Sequence, residues 1–293
     1  MNRRSFLWLL GGAALSGSLT RLDARIVQAR AATNLAALGL PEVTIAVSDA
    51  GYAVSPQQTP AGWTLVTLEN QLEATDTSAD IMLIPDGESL EALLTAVAGP
   101  DAGPPPDWVF QAPLAGAPWV TAGQSGQALV HLTAGNWAVF SPTPLAPATM
   151  TVLEADDDAD EPPTVTVDAE LTLQDFAFLG LDGPLAAGPQ LWKVVNAGPQ
   201  PHLMALSPLP DGTTQGAFMD EVMAMMSAPP SADAAIPPGP PIIGGCSTLS
   251  TDQTIYLALD LGPGTYGAIC FFPDGQTGAP HAAMGMVQVF TVG

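Results

Sequence analysis

The sequence predicts an all-β chain of two tandem Greek-key β-sandwiches, each with one short helix in a crossover loop. Three observations carry this. The 29 glycines and 30 prolines among 293 residues supply turns at a density that suits many short strands. Apolar residues alternate with polar ones over short runs, the period of a half-buried strand. The same order of elements occurs twice, over residues 42–153 and 164–293, on either side of an acidic, Pro-ended linker at 154–163.

Each copy opens with a strand-like run, Val43–Val47 in the first and Val165–Leu173 in the second. An aromatic segment follows, around Tyr52 and around Phe176 and Phe178. Next comes a Gly-led strand, Gly62–Asn70 and Gly188–Asn196, and then an apolar run ending in Pro-Asp-Gly. Helical segments are expected at Ser89–Ala98 and Ala217–Met226, each followed by a Pro-rich loop. Alternating strands around Gly135–Ser141 and Gly264–Cys270 close the copies, and Val287–Val292 ends the second.

Charge narrows the function. The formal net charge is −23, and five of the six basic residues lie within the first thirty positions. Nucleic acid is excluded as a partner, because binding it needs clustered Lys and Arg to displace counterions. Docking to an anionic membrane surface is disfavoured for the same reason. The first residues pair Arg3 with Arg4 ahead of Ser5, Phe6 and Leu7 and an apolar stretch to Leu19. This resembles a twin-arginine export signal, with Ala29-Arg30-Ala31 as a small-x-small cleavage site. Residues 1–31 are therefore expected to direct the protein to a periplasmic or other extracytoplasmic, oxidising compartment.

The chemistry concentrates in the second copy. Cys270 ends a strand, His281 follows in a loop, and Met284 and Met286 stand before the last strand. Upstream, Asn196-Ala-Gly-Pro-Gln-Pro-His202 supplies another imidazole. One thiolate, two imidazoles and a weak thioether suit copper in a trigonal site with a long axial methionine. The run Tyr266-Gly-Ala-Ile-Cys270, a loop, Pro280-His281 and Gly285-Met286 resembles the closing motif of the cupredoxin, or type 1 blue copper, family. That resemblance implies one type 1 copper held by His202, Cys270, His281 and Met286, and single-electron transfer rather than catalysis. It implies a redox protein as partner, and the acidity selects a basic one such as a cationic cytochrome. Pro280 to Met284 would form the apolar docking edge. The ten-residue gap between Cys270 and His281 is longer than in small blue copper proteins.

A rival reading stands beside this one. If Cys246 bridges Cys270, the thiolate is lost and the domain is a copper-free structural or partner-binding module. Met219, Met223 and Met226 fall on one helix face and are read as core packing rather than as a Cu(I) site. His131 is expected to face solvent. In the first copy Ser141 stands where Cys270 stands, and only Thr77 or Asp80 is near the place of His202, so no metal is expected there. Three histidines are too few for the trinuclear cluster of a multicopper oxidase or for the second copper of a nitrite reductase.

Overall fold

The computed structural model describes residues 35–92, 107–141, 145–155, 160–227 and 241–293. The leader and the stretches 93–106 and 228–240 lie outside the described residues, so the helix expected over Ser89–Ala98 is seen only at its start, Leu90–Ala92. The first half contains β1 (Glu42–Ser48), β2 (Gly51–Ser55), β3 (Gln58–Pro60), β4 (Gly62–Asn70), β5 (Asp80–Leu83), α1 (Asp107–Gln111), β6 (Ser125–Leu132), β7 (Gly135–Phe140) and β8 (Ala148–Leu153). The second contains β9 (Ala169–Gln174), β10 (Ala177–Leu179), β11 (Gly188–Asn196), β12 (His202–Leu209), α2 (Gln215–Ser227), β13 (Gly244–Leu249), β14 (Thr254–Leu261), β15 (Gly264–Ile269) and β16 (Val287–Val292). The chain is all-β in class.

Alternation does what it should locally. In β11 every second residue is buried, Gln190, Trp192, Val194 and Asn196, while Lys193 and Val195 turn outward. A sheet pleat puts successive side chains on opposite faces, so this pattern selects one packed face. β13 is buried at all six positions, which fits a strand covered on both faces and along both edges.

The edges show how the halves are joined. Eight strands form one sheet in the order β10-β9-β11-β14-β6-β4-β1-β2. The two halves meet in it where β14 pairs antiparallel with β6, placing Tyr256 opposite Leu129. Outward from that seam each half repeats one arrangement. An antiparallel neighbour comes next (β11 or β4), then a strand parallel to it (β9 or β1), then a hairpin partner. Two four-stranded sheets, β13-β12-β15-β16 and β3-β8-β7-β5, form the opposing layer. They are bridged by the segment around 114–120, which meets β13 at Ala115–Leu249 and Pro118–Cys246 and meets the β5 side at Met82–Leu114 and Thr77–Val120.

Polar side chains close this second seam. Ser247 donates its hydroxyl to the Ala79 carbonyl at 2.6 Å and accepts the Ala117 N–H at 2.8 Å. Asp80, raised above the usual carboxylate range by burial, accepts from the Thr248 N–H at 3.2 Å. Buried backbone donors and acceptors must find partners, and here they find them in the other half.

Candidate metal centre

Three backbone segments converge at one end of the second half. β12 begins at His202, β15 ends one residue before Cys270, and His281 opens the 3-10 turn His281–Met284. The loop is tied down by its own backbone: Cys270 N–H donates to Met286 O at 3.2 Å, Ala282 N–H to Cys270 O at 2.8 Å, and Met286 N–H to His281 O at 3.0 Å. These bonds bring three distant residues to one place whatever the loop length between them. The long Cys270–His281 interval is spent on a turn in which Asp274 accepts from the backbone N–H groups of Gln276 and Thr277 and from the Thr277 hydroxyl.

The donor atoms form a small triangle. His202 Nδ1 lies 2.9 Å from His281 Nδ1, Cys270 Sγ lies 3.5 Å from His281 Nδ1, and Cys270 Sγ lies 3.9 Å from His202 Nδ1. All three side chains are fully buried, and they form a group able to hold a metal ion. An ion about 2.0 Å from nitrogen and about 2.3 Å from sulfur fits edges of this length. Met286 is likewise fully buried, and its backbone joins those of Cys270 and His281, as above.

Electrostatics keep this cluster neutral without an ion. Burial pushes the Cys270 thiol up to about 12, against hydrogen bonds from the Leu203 and Phe272 backbone that favour the thiolate. Burial, and then the neighbouring His202, lower His281 to about 4. Burial lowers His202 as well, opposed by the Asp175 carboxylate. His281 Nε2 is buried with no hydrogen-bond partner. Three soft or borderline donors, buried together within 3.9 Å of one another and held neutral, are a good set of metal ligands.

A pH prediction follows for the metal-free protein. His281 has a folded value of about 4 against an ordinary 6.5. Between these, the unfolded chain takes up a proton that the folded chain refuses, so stability falls as pH falls. One such proton gives a slope approaching about 1.4 kcal/mol per pH unit. Urea midpoints of metal-free protein between pH 6.5 and 4 are expected to drop, and His281→Gln is expected to flatten that drop.

Several expectations change at this site. Of the edge Pro280 to Met284, His281 and Ala282 are fully buried, Pro280 and Ala283 half-buried, and Met284 exposed at 39%. The cover is aromatic. Phe176, at the β9–β10 turn, lies edge-on to the His281 ring at 4.9 Å, and Phe272 lies 5.9 Å away. The Cys246–Cys270 bridge does not form. Both are free, buried thiols, and Cys246 pairs with Met204 across β12 and β13. The face of α2 set on the core is Phe218 and Val222, with Met219 and Met226 half-buried against it and Met223 exposed, because the Phe218 ring fills the space over Gly267 in β15. His131 is half-buried, packed edge-on to Trp63 and joined to Asp160 of the linker at 2.8 Å.

Two residues near the centre carry no obvious signal in the sequence. Asp175 Oδ1 contacts His202 Nε2 at 2.8 Å. Gln200 donates from Nε2 to Asp175 Oδ2 at 2.9 Å and to Asp274 Oδ2 at 3.1 Å. Asn196 holds the loop beneath them, donating to Gln200 O and Leu249 O and accepting from the Gly198 N–H. Asn70 repeats this in the first half, with Thr75 O, Val120 O and the Leu72 N–H. There Thr77 bridges to Val120 as His202 pairs with Leu249. The hydroxyl of Tyr52 donates to Ser78 O at 2.8 Å, with the Thr77 and Ser141 hydroxyls beside it. An aromatic hydroxyl thus sits among the residues corresponding to the metal donors.

No protein-family model and no curated protein sequence matches the chain. Similar solved structures include auracyanin from the photosynthetic bacterium Roseiflexus castenholzii, 20% identical, covering 42% of this chain and 94% of that one with a TM-score of 0.29. Auracyanin B is 23% identical, covering 46% and 92% with a TM-score of 0.28. A multicopper oxidase from Pseudomonas Thermotolerans is 12% identical, covering 86% and 67% with a TM-score of 0.25.

Proposed function

We propose that this protein is a cupredoxin-like electron carrier, made of two tandem domains, with a single type 1 copper in the second. The observation that carries this reading is the buried triangle of His202 Nδ1, His281 Nδ1 and Cys270 Sγ. Met286, buried beside them, would offer a weak thioether donor. A bound copper ion would supply one-electron chemistry by cycling between Cu(II) and Cu(I).

The chain's own part is to hold the donors still. The backbone bonds among Cys270, His281 and Met286 fix one side of the site, and β12 fixes the other. A frame that does not move between oxidation states keeps reorganisation small. Cys270 would hold the metal as a thiolate, releasing its proton to solvent on binding, and its burial keeps water from the sulfur. The first domain, with Tyr52, Thr77 and Ser141 in the corresponding place, is read as metal-free.

We further propose export through a twin-arginine leader to an extracytoplasmic compartment, and exchange of electrons with a basic redox protein such as a cytochrome. The −23 net charge supports a cationic partner, with Met284 the exposed apolar contact. Among the described residues no helix is long and apolar enough to cross a membrane.

Titration of the metal-free protein with Cu(II) tests the copper reading. Saturation at one copper per chain is expected, with an intense thiolate-to-copper band in the visible. A protein that stays colourless, before and after mild reduction, overturns it.

A further inference from the structure

We infer that Asp175 is a positioning residue for the metal centre: its carboxylate fixes the tautomer of His202 and its charge biases the bound metal toward the oxidised state. The inference rests on the copper reading above.

A carboxylate can only accept, so the 2.8 Å contact of Asp175 Oδ1 with His202 Nε2 places the ring proton on Nε2. His202 Nδ1 then carries a free lone pair, and Nδ1 is the atom that faces His281 and Cys270. Without that partner the proton can reside on either nitrogen, and half the choices block the ligand. Metal-bound imidazoles take such acceptors on their far nitrogen as a rule, and these acceptors orient the ring and raise its basicity.

The structure invests in this contact. Asp175 Oδ2 is held by Gln200 Nε2, whose carbonyl oxygen is anchored by the Gly275 N–H at 2.8 Å. The position across from the contact is Gly198. A Cβ there would lie 2.7 Å from His202 Nε2 and 2.9 Å from Asp175 Oδ1. Only glycine leaves room for the two groups to meet.

The charge has a direction. The His202 side chain is fully buried and that of Asp175 is 21% accessible, so the negative charge is screened weakly. It stabilises the more positive oxidised ion over the reduced one. The partner histidine provides a contrast within the site: His281 Nε2 has no acceptor at all, so the two imidazoles are made unequal.

The test uses the full chain with Asp175→Asn, which keeps an acceptor oxygen and removes the charge, and Gly198→Ala, which keeps the charge and separates the pair. In metal-free protein, ¹⁵N shifts of the His202 ring are expected to show Nε2–H in the wild type and mixed tautomers in Gly198→Ala. In copper-loaded protein, Asp175→Asn is expected to keep the thiolate band and to shift the Cu(II)/Cu(I) preference about tenfold toward Cu(I), a rise of about 59 mV for one electron. Wild type and Asp175→Asn with the same potential would overturn the inference and leave the copper reading standing. A wild type without Nε2–H also overturns it. A wild type that holds Nε2–H but takes up no copper overturns the copper reading, and with it the charge role of Asp175.

Discussion

Cys270→Ser is expected to abolish the visible band and to lower Cu(II) affinity by more than about 100-fold, the effect that even indirect partners of a metal ligand reach. The hydroxyl is similar in size, so the fold should survive, and the loss should be chemical. On the copper reading sulfur would supply the one soft, anionic donor of the triangle, while serine would stay protonated and leave the two imidazoles. Copper that binds Cys270→Ser as tightly as wild type, with the band intact, would place the metal elsewhere. The thiol itself is a sensitive probe. Burial raises it to about 12 in the metal-free protein, so alkylating reagents should react slowly until the chain unfolds, because the thiolate is the nucleophile.

The second large effect is structural. Gly245→Ala is expected to cost roughly 3–5 kcal/mol and to lower the melting temperature by on the order of 10 °C. Gly245 has φ +114°, and a Cβ there would lie 1.9 Å from the Met204 carbonyl oxygen. Neither side has a flexible group that can yield, because both are backbone of paired strands. β13 would have to leave β12 on one side and the 114–118 segment on the other, disturbing the Ser247 hydrogen bonds. His202 lies two residues before Met204, so copper uptake should weaken too. A thermal scan within 2 °C of wild type would show that β13 can shift at little cost.

How far the sequence foretold this depends on distance along the chain. The strands β4, β11 and β16 fall at the residues that glycine starts and alternating apolar runs indicate, because strand periodicity is local. That His202, Cys270 and His281 form one cluster was also legible. Cysteine and histidine are so scarce here that few other combinations exist. The contacts of Asp175 and Phe176 were not, since an ordinary hairpin turn gives no sign of which ring it will lie against 27 or 105 residues later. For the same reason the burial of His281 within the loop Pro280 to Met284 was not legible: the ring looks exposed until an aromatic from another segment covers it. On α2 the helical period was right and core packing holds for Met219 and Met226, while Met223 is exposed and Phe218 and Val222 centre the face, Phe218 filling the space over Gly267. Which strands would meet at β6 and β14 was invisible, since alternation specifies a strand's faces and says nothing about its neighbour.

That β6–β14 seam gives the first half a purpose independent of ligands. A β-strand at a sheet margin offers a row of unsatisfied amides and carbonyls, a template for any passing chain. β14 and β13 would both be such margins if the second half stood by itself. The first half covers them with β6 and with the segment around 114–120. The first half can therefore lack metal donors and still serve the fold, as a guard against intermolecular strand pairing.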